Sequence, residues 1–302
     1  MSVVSPSDVG KRMAERRPDA TVSPAGDSDP GVHKTHVFDV ATALEPLEDK
    51  DGSWVFSTHV HPQFKNINDP YGGWSAAVLA RAMLRCARPG MELVSITTDF
   101  LSAVPDGPLH ITVHSDRSGR GTEFWRAGLA SEGSNTLTNR ATAVLARRRD
   151  TVEWVEGDCP EVPSPEVCAR IELPLAWSRV IEIRPAVNHL FSGSCDTRSS
   201  AWVRFTPDRP LDSVALVALA DTPMPRLFYV IDRQVPVATV SMTIYLHATM
   251  ADFADSGSDY LLIDCRGSRG GRGFYDQHAT IWSRNGRLMA TTQQVVWYRT
   301  DS

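Results

Sequence analysis

Asp221, Thr239 and Gln294 are three residues of this chain whose types suit a hydrolytic task. A carboxylate takes a proton from water, and a hydroxyl and a side-chain amide hold that water in line with an electrophilic carbonyl, with no covalent nucleophile needed. Asp221 follows the apolar run Val214-Ala215-Leu216-Val217-Ala218-Leu219-Ala220 and stands just before Pro223 and Pro225, which end a helical run. At the C-terminal end of a helix a carboxylate has the wrong sign for the dipole, so Asp221 is either a poor cap or a group kept for function. Thr239 and Gln294 fall in stretches with strand character, where a threonine, or a glutamine beside Gln293, is ordinary. Each is weak evidence alone. Their weight comes from a comparison that the sequence carries within itself.

That comparison rests on a duplication. Residues 270–299 are a degenerate copy of residues 118–147, with Arg272 and Arg299 matching Arg120 and Arg147 at an offset of 152. Each copy opens with a glycine-rich turn, Ser118-Gly119-Arg120-Gly121 or Gly270-Gly271-Arg272-Gly273, where glycine permits φ > 0 between paired strands. Each runs through an alternating stretch to a turn near Gly133 or Asn285-Gly286. Each ends in an apolar strand, 140–147 or 291–299. Upstream lie two alanine-rich segments, 73–87 and 211–228, matched at an offset of 138, and two strands, 95–101 and 240–246, matched at 145.

A helix apolar on most of its circumference has to be wrapped, and a curved antiparallel sheet wraps it. The predicted architecture is therefore α+β: strand, helix, then four or more strands, repeated once. Residues 1–31 form a tail, 32–149 the first unit, 150–177 a Pro- and Glu-rich linker long enough to cross the face of one sheet, and 178–302 the second unit. Carried across the offsets, Asp221 corresponds to Met83, Thr239 to Val94 and Gln294 to Thr142. Features shared by the halves serve the fold; these three differences point to a site in the second half.

Other stretches place the frame. Residues 36–40 and 52–61 read as strands, as do 179–187 and 201–205. His59 and His61 share one strand face, a spacing that could hold a metal, but no third ligand is in sight. Asp69-Pro70 suits a helix start, with the carboxylate capping and the proline in the first turn. Asp212 is the matching cap of the second helix. Gly72 and Gly73 let another backbone come close, and a glycine-rich helix N-terminus can meet an acyl carbonyl or a phosphate.

The 302 residues, 42% of them apolar, suffice for about two domains and a substantial core. A net charge of −5 with one tight basic run, Arg147-Arg148-Arg149, argues against a nucleic-acid partner. Five cysteines (Cys86, Cys159, Cys168, Cys195, Cys265) form no CxxC pair, and the odd count suggests a reducing, cytoplasmic setting. No run of 18 apolar residues is present, and the first thirty residues lack the apolar core of a secretory signal.

With these residues in hand, the sequence resembles the acyl-CoA thioesterase II-like family. The resemblance is carried by the two-unit order, Asp69-Pro70-Tyr71-Gly72-Gly73-Trp74, Gly271-Arg272-Gly273-Phe274, Ala238-Thr239-Val240 and Thr292-Gln293-Gln294. It covers roughly residues 33 to 300 and implies a double hotdog fold, two tandem hotdog units each with a curved sheet around a long helix. It also implies hydrolysis of an acyl-CoA or acyl-carrier thioester without a metal or other cofactor: Asp221 as base, Thr239 and Gln294 binding the attacking water. Helix-start amides near Gly72 and Gly73, or the Gln294 side chain, would polarise the carbonyl. Trp74, Met83, Phe100, Phe228 and Tyr245 are the expected pocket lining, and Lys65, Arg120 and Arg272 candidates for CoA phosphates. The paired sheets suggest a homodimer or larger homo-oligomer. The chain departs from many members in having Ser241-Met242 where they have an Asp-His pair. Other readings are a non-catalytic binder of acyl or polyketide-like ligands, or a hotdog fold reused for another reaction; for a hydratase, Ile67 and Gly72 stand where its Asp and His should be.

Overall fold

The structure, a computed structural model, describes residues 35–47, 53–67, 69–193 and 196–300; the tail expected over residues 1–31 lies outside the described residues. The first half contains helix α1 (Val37–Ala41), strands β1 (Glu45–Pro46) and β2 (Trp54–His59), the long helix α2 (Gly72–Cys86), and strands β3 (Glu92–Phe100), β4 (Pro108–Ser118), β5 (Thr122–Ser131) and β6 (Leu137–Ala146). The second half runs β7 (Ile181–Val187), β8 (Ser199–Phe205), α3 (Ser213–Leu219), the single turn α4 (Leu227–Val230), β9 (Val237–Leu246), α5 (Met250–Ser256), β10 (Leu261–Arg266), β11 (Gly270–Gly271), β12 (Phe274–Ser283) and β13 (Leu288–Tyr298).

The strands form one antiparallel sheet in the order β1-β2-β4-β5-β6-β3-β9-β13-β12-β10-β8-β7, with β11 on β12. Read outward from the β3–β9 junction, β6, β5 and β4 on one side answer β13, β12 and β10 on the other. At the junction Thr97 pairs with Thr243, their hydroxyl oxygens 3.0 Å apart. The sheet of the first half packs on α2, and α2 packs on α3. This is the double hotdog, α+β.

The ladders correct the strand matching by one residue. Val94 is skipped where β3 pairs with β6, and Val240 is skipped where β9 pairs with β13, so each half carries a bulge at the same place. Aligning the bulges makes Leu93 the counterpart of Thr239 and Ala143 the counterpart of Gln294, instead of Val94 and Thr142. Both counterparts are buried and apolar. The contrast between the halves is sharper than the sequence offsets indicate.

Several local expectations change. Residues 36–40 alternate like a strand but form α1: His36 Nδ1 accepts from the Phe38 N–H at 3.0 Å, and Phe38 and Ala41, one turn apart, are buried. Phe38 packs on Phe205 with ring centroids 4.6 Å apart. The apolar segment 211–228 is two helices, because Pro223 and Pro225 lack the N–H groups a continuous helix requires. Asp212 caps α3 as expected, its Oδ1 accepting from the Ala215 N–H at 2.7 Å. Asp69 does not cap α2; Tyr71 is its N-cap, with no side-chain bond, while Pro70 forms a bridge with Lys65. His61 caps the 3₁₀ turn Pro62–Phe64 through Nδ1.

After β6 the chain crosses the outer face of the second half. Cys159, Val162 and Cys168 cover Trp202, Tyr260, Leu262 and Trp282, and Trp202 Nε1 donates to the Pro163 carbonyl at 2.8 Å. It then turns to the inner face, where Leu173, Leu175 and Trp177 join the main core. Among the described residues no helix is long and apolar enough to cross a membrane.

Candidate active site

Asp221 lies one residue beyond the C-cap of α3, yet its carboxylate sits at the N-terminus of α2, where the Gly73 N–H donates to it. The approach requires glycine twice. A Cβ on Gly72 would stand 2.7 Å from Asp221 Oδ2 and 3.2 Å from the Phe100 ring, and a Cβ on Gly73 would stand 2.4 Å from the Ala218 carbonyl oxygen. Tyr71 fastens the same crossing: its hydroxyl donates to the Ala218 carbonyl at 2.7 Å, and its ring stacks on Trp177 at 4.6 Å.

Gln294, from β13, reaches the carboxylate from the sheet. Its Nε2 donates to Asp221 Oδ1 at 3.0 Å and lies 3.3 Å from Met242 Sδ. Its Oε1 accepts from Thr239 Oγ1 at 3.3 Å and from Gln277 Nε2 at 2.9 Å. The network fixes each amide, because an ionised carboxylate only accepts. Asp221 therefore demands the nitrogen of Gln294, whose oxygen in turn demands the nitrogen of Gln277.

Burial pushes the Asp221 carboxyl up to about 7, against the opposing effect of the Gln294 and Gly73 hydrogen bonds, which favour the anion. The group is thus poised to exchange a proton near neutrality. Burial, followed by the nearby Asp221 charge, holds the Tyr71 phenol well above its ordinary range, so Tyr71 stays a neutral donor.

These groups open into one cavity of about 940 Å³, lined by Gly72, Phe100, Asp221, Phe228, Thr239 and Gln294 among others. Gly73 supplies its amide but no lining. Three expected contacts lie elsewhere. Trp74 and Met83 are sealed in the core, the Trp74 indole donating to the Ala41 carbonyl, because α2 is wrapped by its own half-sheet. Tyr245 is 49% exposed, away from the cavity. Lys65 pairs with Asp106, and neither it nor Arg120 or Arg272, both exposed at turns, lines the cavity.

Gln277 is the site residue that the sequence reading missed. Its counterpart across the ladders is Trp125, since Trp125 pairs with Ala143 as Gln277 pairs with Gln294. Extending the comparison of the halves to β12 exposes it as a fourth apolar-to-polar difference.

The acyl-CoA thioesterase N-terminal domain model matches residues 60–146, and the C-terminal domain model matches residues 156–298. The chain belongs to the acyl-CoA thioesterase family. Its class as an enzyme is that of this family of hydrolases. Among solved structures, this acyl-CoA thioesterase family chain is similar to a hot dog fold protein of unknown function from Alicyclobacillus acidocaldarius, with 31% identity and a TM-score of 0.81 over 89% of this chain and 100% of that one. It is also similar to an acyl-CoA thioesterase II from Mycobacterium marinum, with 19% identity and a TM-score of 0.70 over 88% of this chain and 99% of that one, a likeness of fold. No curated protein matches the chain.

Proposed function

We propose that the chain hydrolyses an acyl-CoA-type thioester by direct attack of water, with Asp221 as general base and Thr239 and Gln294 orienting the nucleophile. The observation that carries this reading is the Asp221–Gln294 hydrogen bond inside a cavity, made by a carboxyl that titrates at about 7. Asp221 takes a proton from water as the water oxygen bonds to the thioester carbon. The carbonyl oxygen becomes an oxyanion, which the Gly72 N–H at the start of α2 stabilises, aided by the positive end of the helix dipole. Collapse breaks the C–S bond, and the proton held by Asp221 passes to the departing sulfur. The products are a carboxylic acid and a thiol, so the atoms of thioester and water are accounted for without a covalent enzyme intermediate.

The test is thiol release from a panel of acyl-CoAs by the purified wild type and Asp221→Asn. Turnover by the wild type with a loss of about 10²-fold or more in the variant is expected. Equal turnover by the two would remove Asp221 from the mechanism, and a co-purified acyl ligand with no thiol release would favour a binding protein.

A further inference from the structure

Gln294 carries its amide on a long, flexible side chain, and a displacement of about 1 Å in a group that orients a nucleophile can cost about 10²-fold in rate. Something has to hold it. In the sheet Gln294 lies directly between Gln277 of β12 and Met242 of β9. The Met242 sulfur, 3.3 Å from Gln294 Nε2, is a weak acceptor. The Thr239 hydroxyl reaches Gln294 Oε1 only at 3.3 Å, long for an O–H···O bond. Gln277 Nε2 makes the short bond to that oxygen, at 2.9 Å.

The matching row of the first half is Trp125, Ala143 and Ile96, buried and apolar throughout. The fold therefore accepts an apolar side chain where Gln277 stands. An amide there is unfavourable for stability, because Gln277 is 4% exposed and its shielded Oε1 has no donor among the described residues. A buried oxygen kept without a partner points to a reason other than stability. The one hydrogen bond that the Gln277 side chain makes among the described residues is to Gln294.

The count of hydrogens gives that bond its use. Thr239 has a single hydroxyl hydrogen. With Gln277 meeting the demand of Gln294 Oε1, Thr239 can turn its hydrogen or its lone pairs to the attacking water. Without Gln277, Oε1 depends on Thr239 alone, and the two side chains that orient the water are committed to each other. Resting on the thioesterase reading, we propose that Gln277 is a positioning residue, which fixes the Gln294 amide against Asp221 and releases the Thr239 hydroxyl for the nucleophile. It acts through Gln294 and touches no reacting atom.

The experiment measures kcat, KM and melting temperature with octanoyl-CoA for Gln277→Met and Gln277→Leu, two apolar changes that remove the donor, and repeats them in the Gln294→Leu background. In the wild-type background kcat should fall about tenfold with KM within about twofold, while the melting temperature does not fall. In the Gln294→Leu background the same changes should cost less than about twofold, since the partner is already gone. A lowered melting temperature with unchanged kcat, the pattern of a purely structural amide, would overturn the proposal. So would equal losses of kcat in the two backgrounds. If no acyl-CoA is hydrolysed, the hydrolytic reading fails separately, and solvent exchange of the Gln294 side-chain amide protons, assigned by NMR against Gln294→Leu, decides the question. Exchange at least about tenfold faster in either Gln277 variant supports the hold on Gln294, and equal exchange rejects it.

Discussion

Gln294 Nε2 donates to Asp221 Oδ1 across 3.0 Å, joining the last long strand to the residue after the C-cap of α3. The same carboxylate accepts the Gly73 N–H from the first half, so both halves of the duplication meet at one oxygen pair. Three consequences of that meeting, and one of the wall beside it, can be measured.

The pH dependence of catalysis and of stability should run in opposite directions. As a base, Asp221 must be ionised, so kcat/KM rises with pH up to about 7 and then levels off. For folding, the raised carboxyl binds its proton more tightly in the folded state than in the unfolded chain. Its stabilising effect is full below the ordinary value of 3.8 and is lost as pH rises to about 7, a decline on the order of 4 kcal/mol. Asp221→Asn removes this dependence. Denaturant titrations at pH 5 and pH 8 should therefore show the variant gaining on the wild type at the higher pH, and parallel behaviour would contradict a raised carboxyl.

Gln294→Leu removes the donor to Asp221 together with the acceptor for Thr239 and Gln277. Since the lost bond favours the anion, the Asp221 carboxyl moves further up and the inflection of the pH–rate profile shifts to higher pH. A loss of about 10²-fold in kcat/KM accompanies it, against about tenfold for Thr239→Val, which deletes a single hydroxyl. An unshifted inflection in Gln294→Leu would break the proposed link.

The two glycines at the start of α2 should fail differently. In Gly73→Ala the new methyl meets the Ala218 carbonyl at 2.4 Å, backbone against backbone, so the helix crossing must open. A stability loss of about 3 kcal/mol is expected in chemical denaturation. In Gly72→Ala the nearest atom is Asp221 Oδ2 at 2.7 Å, the movable end of a side chain. That variant should keep most of its melting temperature and lose at least about tenfold in kcat/KM through displacement of the base. The reverse pattern would mean that the crossing is not built as described.

Arg226 is a buried arginine whose guanidinium bonds the Met224, Thr197 and Cys265 carbonyls and the Ser199 hydroxyl, and stacks on Tyr229 at 4.5 Å. It ties the cavity wall at Met224 to β8 and β10. Arg226→Met leaves those acceptors buried without donors, which should cost about 3–5 kcal/mol. A change below about 1 kcal/mol in urea titration would show that the wall is held by other contacts.

Much of the site was legible because the chain contains its own reference. Comparing the halves picked out Asp221, Thr239 and Gln294, and the structure brings these three onto one cavity. The same comparison fell short on exact partners, since the bulges at Val94 and Val240 leave no mark in the residue order of either strand. It also passed over Gln277. The apolar lining was harder to read. Trp74 and Met83 have the right character for a pocket, but on a helix wrapped all round apolar character does not say which residues face a cavity and which face the sheet.

The sequence by itself determined the duplication, the two apolar helices, the strand meanders and the three polar exceptions, because periodicity and repeat offsets are local properties. Only the tertiary structure decided why an acid can stand at the wrong end of its own helix. Asp221 has an unfavourable dipole position on α3, but the packing of the halves sets it at the favourable N-terminus of α2, an arrangement between residues 73 and 221 that no local pattern encodes. Burial at that crossing, the product of packing and not of residue order, then raises the carboxyl to the range where it can act as a base.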